Sequence, residues 1–287
     1  MSDNPVVYFT REISPEGLQR VYDALGRTPH GKVAVKVSSG EPGNKHYLKA
    51  ALVGDFVKSI QGEIVECNTA YDGGRNETTK HYQVLQDHGF ASFAKTIILD
   101  GEDEISLPVR DGKHLTENVV GALFKDYDFH VILSHFKGHI MGGFGGALKN
   151  MAIGYASSRG KLIIHGAGDE KKGFDGDQDS FLESMAEAVS TILETAGKEN
   201  FLYINVMNDI SVDCDCDGNA APPDMEDIGI LASLDPVALD QACVDLVFNA
   251  EDGKNVVERI ESRHGQVTLR RAVELGLGSR EYTIEEI

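Results

Sequence analysis

Phe129-His-Val-Ile-Leu-Ser-His-Phe-Lys-Gly-His-Ile-Met-Gly-Gly-Phe-Gly-Gly-Ala-Leu-Lys-Asn150 is the stretch on which the reading of the chain turns. Phe129 to Leu133 is a continuous apolar run of strand length, and apolar character without alternation marks a strand buried on both faces. Gly142, Gly143, Gly145 and Gly146 then place four residues lacking Cβ within five positions. Such a run lets backbone N–H groups approach an anion, the more so if Gly146 opens a helix. Lys149 would fall in the first turn of that helix, within reach of the same ligand. Ligands of an open parallel sheet sit beyond the carboxyl ends of its strands, so the segment from His135 to Gly154 is placed for a site. The spacing is neither the Gly-Lys-Ser/Thr of a Walker A loop nor G-x-G-x-x-G. A glycine turn that merely joins strand to helix is the competing reading.

Outward from this stretch, strand-like and helix-like segments alternate. Val33 to Val37, Glu63 to Cys67 and Lys95 to Leu99 read as short strands; Tyr47 to Ile60 and Thr78 to His88 read as helices, the second stopped by Gly89. Ile105 to Arg110 is expected as an extra edge strand. Further on, Leu162 to Ile164 is expected to be extended and Asp177 to Ala196 a long amphipathic helix. Phe201 to Val206 and Ile228 to Ala232 read as buried strands. Asp235 and Pro236 supply an N-cap and a first helical residue for a helix to about Phe248. The tail from Asn255 to Ile287 is charged, helical at first, and expected on the outside. The alternation implies βαβ units: an α/β fold with a mostly parallel sheet flanked by helices. The expected organisation is one domain over 1–287, with two similar lobes, 1–160 and 161–287, as the other division.

The 287 residues carry 27 Lys+Arg against 46 Asp+Glu, a net charge of −19. That balance disfavours nucleic acid and anionic membranes as partners and leaves a small-molecule ligand; an anionic one would need a local basic pocket. No run approaches the ~20 apolar residues of a membrane helix. Met1 to Thr10 has no basic segment followed by a long apolar run, so a cytoplasmic location is expected. Four cysteines in such a chain do not make a disulfide framework.

Cys67 and Cys243 lie in apolar contexts and read as small core residues. Cys214 and Cys216 belong to Asp213-Cys-Asp-Cys-Asp-Gly218, which matches the first six positions of a calcium loop. Asp224 at position twelve and Pro222-Pro223 argue against an EF-hand and leave a looser calcium loop as the other reading. As thiolates the pair could share a soft metal, provided His or Asp completes the ligand set. The surrounding carboxylates are expected to raise the thiol pKa values, which speaks against a redox pair. His135 and His139 have the four-residue spacing of a helical metal pair, but Gly138 and the glycines beyond argue against helix there.

Gly142 to Gly154, Asp213 to Cys216, and Ile228 to Asp240 together resemble the domain-of-unknown-function 362 family. Val35 to Glu41 and Asn68 to Phe90 extend the similarity over nearly the whole chain. Members are often described as iron–sulfur-centre proteins, many with an inserted ferredoxin module; this chain has no such insert between His165 and Phe201, and its cysteines are too few for one. A more remote similarity is to the nickel-pincer lactate racemase family. Gly145-Gly-Ala-Leu-Lys149 is similar to that family's lysine-bearing stretch with one extra residue. His139 precedes Lys149 and His165 follows it, in the same order, and Asp72-Gly-Gly-Arg75 resembles a phosphate-contacting turn without its threonine. The resemblance implies a shared fold and site location, with Asp72, Arg75, Gly142, Gly143, Gly145, Gly146 and Lys149 around a cofactor. It implies His139, His165 and Lys149 as acid/base groups. His139 and His165, or Cys214 and Cys216, would be metal ligands. The expected function is binding of, and action on, a phosphorylated or carboxylate ligand, with a divalent metal or a metal-bearing nucleotide-like cofactor. A non-catalytic metal or iron–sulfur carrier built on Cys214 and Cys216 is the other reading.

Overall fold

A computed structural model describes residues 4–287. The strands are β1 (Val6–Thr10), β2 (Val33–Lys36), β3 (Glu63–Glu66), β4 (Thr96–Ile98), β5 (Glu104–Pro108), β6 (Glu117–Gly121), β7 (Phe129–His135), β8 (Lys137–His139), β9 (Gly143–Gly145), β10 (Phe201–Met207), β11 (Gly229–Ser233) and β12 (Thr283–Glu286). The helices are α1 (Pro15–Ala24), α2 (Ala50–Ser59), α3 (Thr78–Asp87), α4 (Ala147–Tyr155), α5 (Ser158–His165), α6 (Gln178–Ala196), α7 (Pro236–Asn249), α8 (Lys254–Ser262) and α9 (Gln266–Glu274). Eight strands form one sheet in the order β12-β1-β11-β10-β7-β2-β3-β4. The run β10-β7-β2-β3-β4 is parallel, as is β12 with β1; β11 is antiparallel to both its neighbours. The fold is α/β with a mostly parallel sheet.

Both faces of the sheet are covered, which is why its strands read as unbroken apolar runs. On one face Val35, Ile64, Val131, Leu133, Leu202 and Ile204 pack with residues of α1 and α2. On the other, Ala34, Val65, Ile132, Tyr203 and Leu231 pack with α4, α6, α7 and α9. Asp235 caps α7 by accepting hydrogen bonds from the Val237 and Ala238 amides at 2.9 Å each, with Pro236 in the first turn.

Two local expectations are corrected and a third is extended. Leu162 to Ile164 is not extended but lies inside α5, whose N-cap Ser157 accepts from the Gly160 amide at 3.0 Å; three apolar residues in a row do not distinguish a buried helix turn from a strand. Ile105 to Pro108 does not edge the main sheet, because β5 pairs only with β6 in a separate two-stranded ribbon. The tail is helical at first, in α8 and α9, but ends in β12, an exposed strand paired with β1.

The loop and helix at the glycine segment are tied down from a distance. Asp240 of α7 is fully buried and accepts from the Ala147 and Leu148 amides at 2.7 and 2.9 Å and from Asn205 Nδ2 at 2.8 Å. Burial pushes its carboxyl up to about 6, against the pull of these donors. A Cβ on Gly146 would sit 2.3 Å from Asp240 Oδ1, so glycine is required there by the carboxylate. Asp240→Asn turns one acceptor into a donor facing a buried N–H. The expected result is a loss of about 2 kcal/mol in urea unfolding, the cost of an unsatisfied buried group; an unchanged midpoint would contradict the tie.

Candidate functional site

A cavity of about 340 Å³ opens at the carboxyl ends of β2, β3 and β7, where Lys36, Glu66, Ser134 and His135 meet Lys149 and Asn150 of α4, Lys161 and His165 of α5, and the Cys214–Cys216 turn. This is where a parallel sheet presents its ligand. Five cationic side chains line it, Lys36, Arg75, Lys137, Lys149 and Lys161, against one carboxylate, Glu66. The chain as a whole carries −19.

Two of the five cations are already neutralised. Arg75 is buried, with Nε 2.9 Å from Glu41 Oε1 and Nη1 3.4 Å from Glu66 Oε1. Glu66 also accepts from the Ser39 amide at 3.0 Å and faces His81 Nε2 at 3.1 Å. Burial alone would raise the Glu66 carboxyl; His81, Arg75 and Lys36 outweigh it and hold it well below the usual range. Lys137 Nζ lies 2.7 Å from Asp215 Oδ2. The other three lysines make no ion pair among the described residues. Lys36 donates to Asn150 Oδ1 at 3.1 Å, Lys161 to the Ala156 carbonyl at 2.6 Å, and Lys149 is half-buried with no hydrogen-bond partner among the described residues. Burial lowers Lys36 to about 8, so it is mostly charged at neutral pH. Gly154 makes room for it: a Cβ there would lie 2.4 Å from Lys36 Cε.

The two histidines are held in opposite tautomers. His139 Nδ1 accepts from the Met141 and Gly142 amides at 3.1 and 2.8 Å. Backbone amides cannot give up their protons, so the neutral ring carries its hydrogen on Nε2. That Nε2 lies 3.8 Å from Cys216 Sγ, and the donor atoms of His139, Cys214 and Cys216 all fall within 4.8 Å of one another. His165 is the reverse: Nδ1 donates to the Lys161 carbonyl at 2.7 Å, leaving Nε2 as an open acceptor. Burial drives the His165 pKa down to about 3, so this lone pair persists at neutral pH.

At the sulfurs, a tight turn is closed by the Asp217 amide on the Cys214 carbonyl at 3.0 Å, and the Cys216 amide donates to Cys214 Sγ at 3.3 Å. Between them Asp215 is buried against Lys137 and against His135 Nδ1 at 2.9 Å. A hydrogen bond from the Cys216 side chain, with His139 and Lys149 adding to it, holds the Cys214 thiol below its ordinary range in spite of burial; the same contact and burial push Cys216 up. The expectation that the aspartates raise both thiols is therefore corrected. Asp215 spends its charge on Lys137 and His135, and the groups facing Cys214 are donors and cations.

The sequence candidates divide clearly. His139, His165, Lys149, Arg75, Gly145, Gly146, Cys214 and Cys216 all line the cavity. Gly142 and Gly143 do not: Gly142 holds His139, and Gly143, at φ +77°, packs against Gly265. Asp72 is exposed and, among the described residues, hydrogen-bonded only to Asn76, outside the lining. The helix N-terminus expected to meet an external anion is filled by Asp240. Lys36, Lys161 and Glu66 escaped the sequence reading, although a charged residue inside each of the runs VAVKV and EIVEC is a signal. An iron–sulfur cluster of the four-cysteine kind does not fit these residues. Cys243 is buried beside Asn205, and Cys67, pushed up to about 12 chiefly by burial, donates to the Tyr155 carbonyl at 3.3 Å. A metal held by His139, Cys214 and Cys216 would have to displace the proton on His139 Nε2; His165, with Nδ1 on a carbonyl, has the arrangement usual for a metal-ligating ring.

Free and committed cations can be told apart by stability. Lys149→Ala should leave the urea midpoint within about 0.5 kcal/mol of the parent, whereas Arg75→Ala, which strands two buried carboxylates, should cost about 3–5 kcal/mol. Equal costs would refute the distinction.

None of the curated proteins matches the chain in sequence. Among solved structures, the lactate racemase apoprotein from Thermoanaerobacterium thermosaccharolyticum is 14% identical with a TM-score of 0.45, covering 73% of this chain and 51% of that one. A protein from Thermotoga maritima is 12% identical with a TM-score of 0.44, covering 91% of this chain and 58% of that one. The chain thus spans little more than half the length of either. The family model described as a domain of unknown function (DUF362) matches residues 33–245, which take in β2 through most of α7 and every residue named in the cavity, and the chain belongs to that family.

Proposed function

We propose that this protein binds a small carboxylate- or phosphate-bearing molecule in the cavity and acts on it there. The observation that carries the reading is the set Lys36, Lys149 and Lys161, three lysines around one hollow without a carboxylate partner among the described residues, in a chain of net −19. Burying cations without counter-ions is costly, and a bound anion removes the cost. Lys149 reaches the ligand's charge, with Lys36 and Lys161 behind it and Asn150 orienting Lys36. His165 Nε2 accepts a hydrogen bond from a ligand hydroxyl or ligates a divalent metal. His139 donates from Nε2, which suits it to stabilise negative charge. The phosphate of a metal-bearing nucleotide-like cofactor would meet the same lysines. The acidic surface and four free cysteines fit a protein of the reducing cytoplasm that meets neither nucleic acid nor membrane; no helix among the described residues is long and apolar enough to cross a membrane.

Titration calorimetry with inorganic phosphate, and with lactate as a small carboxylate, tests this. Binding should weaken at least about tenfold in Lys149→Ala, the loss of one charge-assisted hydrogen bond, and be partly kept in Lys149→Arg. Lys36 is charged below its value of about 8 and neutral above it. Affinity should therefore be full at pH 7 and fall as pH rises through 8. No binding of either anion, or binding indifferent to Lys149, would end the reading.

The closeness of His139, Cys214 and Cys216 favours a second reading, a bound metal. Metal analysis of protein isolated without chelator should then find an ion that is lost in the Cys214→Ser/Cys216→Ser double variant. Metal retained by that variant, or none in the parent, would exclude it.

A further inference from the structure

The Cys214–Cys216 turn does more than line a hollow. Its two sulfurs lie within 4.8 Å of each other. The turn is pinned on both sides: the Asp215 side chain is buried on Lys137 and His135, and its carbonyl accepts from the Glu41 amide at 2.8 Å. The sulfurs are differentiated by what faces them. Cys214 Sγ accepts a hydrogen bond from the Cys216 amide at 3.3 Å, while Cys216 is the more exposed of the two. Both open into the cavity rather than onto a convex surface, and Cys214 is only 8% exposed. A disulfide on the surface of another folded protein could not reach it, whereas a small molecule could. The remaining cysteines, Cys67 and Cys243, are buried and hydrogen-bonded elsewhere.

We infer that Cys214 and Cys216 are a dithiol pair that reduces small-molecule disulfides entering the cavity, with Cys214 the attacking sulfur and Cys216 the resolving one. Cys214 thiolate attacks one sulfur of the disulfide RSSR. That S–S bond breaks, a Cys214–SR mixed disulfide forms, and RS⁻ leaves and takes a proton from solvent. Cys216 then loses its proton to solvent and attacks Cys214 Sγ. The Cys214–Cys216 disulfide forms and the second RS⁻ leaves, to be protonated in turn. The two protein thiols are oxidised, one disulfide is reduced to two RSH, and the two hydrogens lost by the protein balance the two gained. The small loop that closes between positions 214 and 216 keeps the pair reducible, so an added dithiol restores it.

The test uses the full-length protein and bis(2-hydroxyethyl) disulfide. This probe is uncharged, so its reaction does not depend on whether the cavity binds anions. Under native conditions intact mass should fall by two hydrogens, and peptide mapping should place the bond at Cys214–Cys216, with Cys67 and Cys243 still alkylatable after unfolding. Cys216→Ser should stop at a mixed disulfide carried by Cys214. Cys214→Ser should react at least about tenfold more slowly, having lost the attacking sulfur. Both variants are compared with the parent by urea melting, so that a folding defect is seen separately. Three results would overturn the inference: no oxidation of the native parent, a bond formed only after denaturation, or reactivity that appears only when a chelator is added. The last would mean that a metal occupies the sulfurs.

Discussion

The site rests on a carboxylate that never meets a ligand. Asp240, in the first half of α7, reaches across to the amino end of α4 and takes the Ala147 and Leu148 amides, while Asn205 of β10 donates to the same group. Three elements far apart in the chain are thereby locked at one buried point. A charged or strongly polar group in such surroundings is stable only when its bonds are complete. The geometry of α4, and so the direction in which Lys149, Asn150 and Gly154 face, follows from it. The glycine before α4 is a consequence: no side chain fits between the loop and the Asp240 oxygen.

Beyond α4 the chain handles charge by pairing some cations and leaving others bare. Arg75 is held between Glu41 and Glu66, Glu66 is shared with His81, and Lys137 is held by Asp215. These buried pairs build the walls. They position Tyr71, which hydrogen-bonds Glu41 and Arg75, and they position the turn that carries Cys214 and Cys216. Among the described residues Lys36, Lys149 and Lys161 remain without opposite charge, and all border the hollow. The contrast between paired and unpaired cations of one chemical type, a few residues apart, gives the cavity its sign in an acidic molecule.

Protonation is set by backbone as much as by charge. Two amides on His139 Nδ1 and one carbonyl on His165 Nδ1 place the ring hydrogens on opposite nitrogens. Two histidines bordering one cavity therefore differ in kind: one gives a hydrogen bond, the other accepts one. The cysteines are sorted in the same way. Cys67 and Cys243 are closed off by burial, whereas Cys214 borders the cavity and accepts the amide of its neighbour but one.

Much of this architecture is already local in the sequence. The apolar runs at Val33, Glu63, Phe129, Phe201 and Ile228 mark buried strands because a sheet covered on both faces leaves no polar side to alternate with. Asp235-Pro236 starts a helix because one residue supplies the cap and the next a preset φ. The glycines after Phe136 mark the place where chain and cavity meet. What those glycines are for, however, depends on Asp240, 93 residues from Ala147. The partnership of His139 with Cys216 spans 77 residues, and the neutralisation of Arg75 by Glu41 spans 34. Leu162 to Ile164 shows the limit from the other side: the same three apolar residues suit a strand or a helix turn, and packing in α5 decides. Sequence order determines which elements form and roughly where the site lies, since both follow from periodicity and short-range caps. Which charges are left unpaired, and which histidine comes to face which cysteine, are decided only by tertiary contacts, because each depends on what another part of the chain brings to the cavity; the ring tautomers and the amide on Cys214 Sγ are local bonds, but only the folded turn and helix form them.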